Sequence, residues 1–148
     1  MAVRATKRIE RELQKFSNDA GESGLILEVV SNREWLVTFT MAEGTVYAGE
    51  LYTLKIIFTD DYPMDSPIVV FEQPAPEHEH VYSNGHICLN ILDSDWSPAL
   101  TMCSVCLSIQ SMLASAEVKM RPPGNDRYVR SGAKNPKQTS WLFDDDKV

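Results

Sequence analysis

Thiol, imidazole and amide side chains crowd into one short stretch. His78-Glu79-His80-Val81-Tyr82-Ser83-Asn84-Gly85-His86-Ile87-Cys88-Leu89-Asn90 holds all three histidines of the chain and one of its three cysteines. Cys88 follows an Asn-Gly turn and lies between Ile87 and Leu89. A thiolate is the reactive form of cysteine, and a loop position can leave the sulfur open to a partner, so Cys88 suits nucleophilic chemistry. Cysteines without such context are more often small buried hydrophobes. Imidazoles and thiolates are also good zinc ligands. A metal set of His78, His80, His86 and Cys88 is disfavoured, because no carboxylate pattern that would orient the imidazoles accompanies it. Cys103-Ser104-Val105-Cys106 makes one ligand pair without a second and falls in an apolar helix, so it closes no tetrahedral site. No metal is expected. His86 is expected on the surface, and His78 is expected to hold the loop through a structural hydrogen bond.

The elements that must position these residues follow from periodicity. Ile9, Leu13 and Phe16 recur at helical spacing in a segment free of Gly and Pro, which predicts an amphipathic helix ending near Asn18 to Gly21. Its exposed face carries Arg4, Lys7, Arg8 and Arg11. Four strands are predicted over Leu25–Val30, Trp35–Met41, Tyr52–Phe58 and Ile68–Phe71, with turns at Asn32-Arg33 and Ala42-Glu43-Gly44. Short links between successive strands favour an antiparallel meander, giving an α+β fold. Gln73 to Pro98 lacks clear periodicity, and a loop of that length in a small domain is usually functional. Val105, Ile109, Met112 and Leu113 mark a central helix from about Leu100 to Ala116, apolar enough to cross the buried face of the sheet. Beyond Pro122-Pro123 one short helix over Asn125–Ser131 is expected. The rest reads as a short irregular C-terminal region with Trp141, Leu142 and Phe143 as its anchor.

The chain has 148 residues, 43% hydrophobic and 24% charged, which fits one domain spanning 1–148 and speaks against wholesale disorder. Three cysteines are too few for a disulfide scaffold, so a reducing compartment is expected, cytoplasm or nucleus. No segment has the apolar length of a membrane span or a signal peptide. A net charge of -7 disfavours nucleic acid as a partner, because neutralising phosphates requires a basic face. The basic start contrasts with Asp144-Asp145-Asp146 near the end, an asymmetry that points to protein partners.

Cys88-Leu89, followed by Trp96-Ser97-Pro98-Ala99-Leu100, resembles the signature of ubiquitin-conjugating enzymes. That family places a His-Pro-Asn tripeptide ten to eight residues before its cysteine, which lands here on His78-Glu79-His80. Tyr47-x-Gly49, Tyr62-Pro63 and Pro67 extend the match, and the order of elements is that of the ubiquitin-conjugating fold. Past Met120 the common family has two further full helices. Arg121-Pro122-Pro123-x-Asn125-x-x-Tyr128 and Lys134-Asn135-Pro136-Lys137 resemble instead the W-type members, which also carry His where most have Asn and which modify the α-amino group of substrate proteins.

What the resemblance implies is an acyl transfer. An activating enzyme, which itself uses the ATP, passes ubiquitin to Cys88, and an amine of a protein substrate then attacks; no cofactor is bound. The family's Asn is credited with supporting the loop and the oxyanion. A His80 N–H can donate likewise, and unlike an amide it can take a proton near neutral pH. Asn90 stands where an Asp is common, which leaves little acidic help for a protonated lysine. With pKa values of about 10.4 and 7.8, about 0.1% of lysine but about a quarter of an α-amine is neutral near pH 7.4. The resemblance further implies that Lys7, Arg8 and Arg11 meet the activating enzyme. Pro63, Met64, Ser97, Pro98 and Ala99 would meet RING- or U-box-type ligases, and Leu107, Ser108 and Ser111 the conjugated ubiquitin. Each has a plainer reading, as solvated helix face, turn or helix surface. Alternatives at this stage are a conjugator of another ubiquitin-like modifier, a non-catalytic ubiquitin-binding variant, and a cysteine hydrolase using Cys88 and His80.

Overall fold

A computed structural model of the chain describes residues 3–132 and 135–138. Trp141, Leu142, Phe143 and the Asp144–Asp146 run lie outside the described residues. Helix α1 spans Val3–Asp19; strands β1 (Ile26–Val29), β2 (Glu34–Thr40), β3 (Leu51–Ile57) and β4 (Ile68–Phe71) follow; α2 spans Met102–Ala114 and α3 Asn125–Arg130. Single 3₁₀ turns occupy Asn90–Leu92 and Pro136–Gln138. The strands form one antiparallel sheet in the order β1-β2-β3-β4, the expected meander. Among the described residues, no helix is long and apolar enough to cross a membrane.

Alternation decides which face is buried. Trp35, Val37 and Phe39 of β2, Leu54 and Ile56 of β3, and Val69 and Phe71 of β4 point into one core. α2 crosses that face and buries Met102, Val105, Cys106, Ile109 and Leu113 against it. Its start lies slightly beyond the expected one because Thr101 caps it: the Thr101 hydroxyl accepts from the Ser104 amide at 3.2 Å, and the Ser104 hydroxyl accepts from the Thr101 amide at 3.1 Å. A run of edge-to-face rings, Phe16 on Trp35, Trp35 on Phe58 and Phe58 on Tyr62, joins α1 to the sheet.

The apolar face of α1 contains a carboxylate that periodicity does not single out. Glu12 is 3% exposed among Ala5, Ile9 and Phe16. Its carboxylate accepts from the Arg8 guanidinium at 3.0 Å and from the Met102 amide, a first-turn donor of α2, at 3.1 Å. Arg8 also donates to the Leu100 carbonyl at 3.2 Å and lies 5.8 Å over the Tyr62 ring. The two charges thus fasten α1 to the entry of α2, where an orphan helix N–H would otherwise be buried unpaired. Removing one partner of such a pair leaves the other uncompensated. Glu12→Ala is expected to lower the unfolding free energy by about 2–3 kcal/mol, read as a reduced urea midpoint at unchanged slope. A midpoint equal to that of the unsubstituted chain would show that the fastening contributes nothing.

Candidate active site

The segment from Glu72 to Thr101 is less irregular than its sequence suggests. Val70 bridges His86, and Val81 bridges both His78 and Ile87, so the loop lies along the outer edge of β4. Val81 and Ile87, at 0% and 2% exposure, are the apolar feet that hold it down. The turn over Tyr82–His86 requires Gly85: its φ is +92°, and a Cβ there would stand 2.2 Å from the Phe71 carbonyl oxygen. Gly85 also accepts from the Phe71 amide at 2.9 Å. This close approach to β4 delivers the chain to Cys88.

Cys88 is half-buried and not disulfide-bonded. Its amide donates to the His80 carbonyl at 2.8 Å, which brings the two expected functional residues together. His78 has the structural hydrogen bond assigned to it: its Nδ1 accepts from the His80 amide at 2.9 Å. Burial, reinforced by the His80 ring nearby, pushes the His78 pKa below its usual value, with Glu79 opposing. A neutral imidazole with Nδ1 free of hydrogen is what that bond needs. His80 is more open, with Nε2 3.7 Å from a Glu79 carboxylate oxygen. Tyr82 has its pKa raised, first by burial and next by its interaction with Cys88, so the phenol stays protonated beside the cysteine.

His86 corrects the expectation of a surface residue. It is 5% exposed, and its Nδ1 lies 2.7 Å from the Tyr128 hydroxyl. The reason is α3, which covers the loop: the Tyr128 ring packs 4.0 Å from the Tyr82 ring, and Asn125 accepts from the Ser83 amide at 2.9 Å. Arg121, just before α3, donates to the carbonyls of Ala75, Pro76 and Val81. The spacing of Arg121, Asn125 and Tyr128 was visible as a motif, yet no periodicity tied it to the cysteine loop. Lys137 fastens the next part of the chain, donating to Asp65 Oδ1 and the Ser66 carbonyl at 2.6 Å each.

A groove of about 720 Å³ runs beside the cysteine. One wall is His78, Glu79, His80, Leu89, Asn90 and Ile91; the other is the solvent side of α2, with Leu107, Ser108 and Ser111. The expected loop residues and the expected ubiquitin-contact residues therefore share one depression. Asn90 itself is engaged: its Nδ2 donates to Asp95 at 2.9 Å and so stabilises the 3₁₀ turn after the cysteine. Among the described residues Glu79 is the one carboxylate lining the groove wall, which the comparison at Asn90 overlooks. Among the described residues, no three His, Cys, Asp or Glu side chains converge as a metal set.

The remaining candidates fall on two surfaces. Lys7 and Arg11 are exposed on α1, whereas Arg8 is tied down by Glu12 and Leu100. Met64 is 65% exposed and Pro63 is buried, its carbonyl accepting from the Trp96 indole at 2.9 Å. That bond sets the turn of Met64 beside Ser97, Pro98 and Ala99, the last fully at the surface. Cys103 and Cys106 are buried in α2, and burial pushes both thiols up, which makes them poor nucleophiles.

The buried His78 links loop order to pH. Its pKa in the fold lies below the unfolded value of about 6.5, so the unfolded chain binds the extra proton. The stability it contributes is fully present above pH 6.5 and declines as pH falls below that value. His78→Asn keeps an acceptor for the His80 amide but cannot titrate in this range. Thermal midpoints measured between pH 7.5 and 5 should fall more steeply for the native chain than for His78→Asn; parallel slopes would contradict a buried neutral imidazole.

Comparison with known proteins agrees with this geometry. The family model described as "Ubiquitin-conjugating enzyme" matches residues 8–141. The chain is 46% identical to "Ubiquitin-conjugating enzyme E2 W" of Caenorhabditis elegans, with 100% of both chains covered. It is 48% identical to "Ubiquitin-conjugating enzyme 15" of Arabidopsis thaliana over 97% of this chain and 91% of that one. The crystal structure of ubiquitin conjugating enzyme E2 UbcA1 from Agrocybe aegerita superposes with a TM-score of 0.86 at 43% identity, covering 93% of this chain and 100% of that one. A cysteine on a loop pinned to a sheet edge, a groove against the crossing helix and full-length identities of this size have one reading: the chain belongs to the ubiquitin-conjugating enzyme family, transferases that carry ubiquitin as a cysteine thioester.

Proposed function

We propose that Cys88 is the thioester residue and that the acceptor is the α-amino group of flexible protein N-termini. The observation that carries this reading is the 2.8 Å bond from the Cys88 amide to the His80 carbonyl, which sets the two residues side by side on neighbouring backbone strands of the loop. The acceptor nitrogen attacks the thioester carbonyl carbon, the carbon–sulfur bond breaks, and Cys88 leaves as a thiolate. The surplus proton of the amine passes to His80 and from there to the thiolate or to water. A His80 N–H offered to the carbonyl oxygen would stabilise the oxyanion. The relatives named E2 W and the His in place of the family's Asn support the N-terminal acceptor. So does the local chemistry: the carboxylate near Asn90 is Asp95, already hydrogen-bonded to its amide, leaving Glu79 on the groove wall.

The family works with ubiquitin, an activating enzyme and ligases. On this chain we assign the activating enzyme to Lys7 and Arg11, with Arg8 as their structural support. RING- or U-box-type ligases are assigned to Met64 with Ser97, Pro98 and Ala99, and the carried ubiquitin to Leu107, Ser108 and Ser111. The reading needs no cofactor on this chain, no nucleic acid and no membrane, and it places the protein in cytoplasm or nucleus.

Incubation with ubiquitin, activating enzyme and ATP should give a band that reducing agent removes, and Cys88→Ser should convert it to an ester that reducing agent leaves intact. Charging that survives Cys88→Ala and is lost in Cys103→Ala or Cys106→Ala would move the nucleophile elsewhere.

The acceptor is tested by discharge at pH 7.4. A peptide with a free flexible N-terminus should take ubiquitin at least tenfold faster than its N-acetylated, lysine-bearing counterpart at equal concentration, in line with the neutral fractions of the two amines, about a quarter and about 0.1%. Mass spectrometry should place the new bond on the α-nitrogen; ubiquitin mainly on lysine, indifferent to acetylation, rejects this acceptor. In the same assay, His80→Asn retains most of the rate if His80 acts as donor only. If His80 is the base, that variant loses at least tenfold and changes its pH profile.

A further inference from the structure

Arg121 stands outside the cysteine loop in sequence, yet it holds both ends of the segment that carries His80. Its Nη1 donates to the Pro76 carbonyl at 2.6 Å and the Val81 carbonyl at 3.2 Å, and its Nη2 donates to the Ala75 carbonyl at 3.0 Å. Two of these carbonyls precede His78-Glu79-His80 and one follows it. Between them the Glu77 carbonyl accepts from the Tyr47 hydroxyl. Tyr47 can serve as donor throughout the neutral range, since burial, with Glu50, pushes its pKa up to about 12. The segment closes on itself through the Val81 amide, which donates to the His78 carbonyl at 3.0 Å. The His80 carbonyl that receives the Cys88 amide lies inside this clamped stretch.

We propose that Arg121 is a positioning residue for ubiquitin transfer: by bridging Ala75, Pro76 and Val81 it fixes His80 relative to the Cys88 thioester. The proposal rests on the reading that His80 takes part in the transfer. A planar guanidinium can serve three carbonyls at once with parallel N–H groups, whereas a lysine ammonium brings one compact charge on a flexible stem. Carbonyls left without donors in a half-buried loop would seek water and let the loop open. Catalytic geometry is sensitive to such movement, because a displacement of about 1 Å can cost on the order of a hundredfold in rate. The first half-reaction asks less of His80: charging needs an exposed thiolate and the activating enzyme's own machinery. Arg121 should therefore matter more for discharge than for charging. Asn125 and Tyr128 act on the other arm of the loop, at Ser83, Tyr82 and His86, so with Arg121 they complete the site.

The test uses the full chain with Arg121→Lys and Arg121→Ala. Charging by activating enzyme and ATP should stay within about threefold of the native rate, while discharge to a free-N-terminus peptide should fall at least tenfold in Arg121→Ala and less in Arg121→Lys. Guanidinium ion at tens of millimolar should restore part of the discharge rate of Arg121→Ala and leave the native rate unchanged. Should Arg121→Ala fail to fold, Arg121→Lys decides, together with hydrogen exchange of the Cys88 amide, which reports the bond to His80 without any chemistry. That exchange should quicken at least tenfold. Unchanged Cys88 exchange, or faster exchange with native discharge, overturns the role of Arg121; so does equal loss of charging and discharge. Normal discharge by His80→Ala, measured alongside, would instead overturn the functional reading of His80, whatever the exchange of the Cys88 amide shows in Arg121→Lys.

Discussion

Buried carbonyl groups in a stretch with little regular structure of its own are the constraint on which this molecule depends. Between β4 and α2 some thirty residues cross the protein, and beyond the bonds made along β4 the carbonyls buried there need donors that no helix or sheet ladder supplies. The donors come from everywhere else. Tyr47, in the β2–β3 connection, serves Glu77; Arg121 serves Ala75, Pro76 and Val81; Ser66 serves Leu92; Arg8, from α1, serves Leu100. Within the loop, the Cys88 amide serves His80. The cysteine is placed by side chains that span the whole sequence, and the rigidity of its surroundings is a property of the fold.

The same arrangement separates the chemistry from its supports. His78, buried and kept neutral, accepts at its Nδ1 from the backbone, while His80, two residues on, is half-buried with its ring on the groove wall. Of two imidazoles in one turn, desolvation settles which is structural. The third, His86, is taken by Tyr128. The thiols divide in the same way: Cys103 and Cys106 are raised by burial in α2, and Cys88 is only half-buried in the loop. Identical residue types acquire different roles from burial alone.

Legibility in the sequence followed the range of the interaction. The sheet was readable because alternation is a local pattern, and β4 was placed to the residue. α1 and α2 were recognisable by their apolar stripes, with ends shifted where Thr101 supplies a cap. His78 could be read because its partner is two residues away. What escaped is non-local. Glu12 looks like one more charge on a polar helix until Met102, ninety residues on, is brought against it. His86 looks like a loop residue until α3 covers it, and Glu79 gains importance only when it lines a groove with α2. Composition carries no signal for such pairings.

The C-terminal region shows what that non-locality achieves. Past Met120 the described residues form the six-residue helix α3 and the 3₁₀ turn at Pro136–Gln138. Arg121, Asn125 and Tyr128 reach back to the cysteine loop, and Lys137 reaches to Asp65 and Ser66 beside Met64. Ser66 in turn holds the Leu92 carbonyl at the end of the turn that follows Cys88. One short segment thus touches the loop that bears the thiol and the loop that bears Met64. A thioester already stores the acyl group in reactive form, so what a protein must add is mainly position. A few charge-assisted hydrogen bonds to carbonyls supply position without bulk.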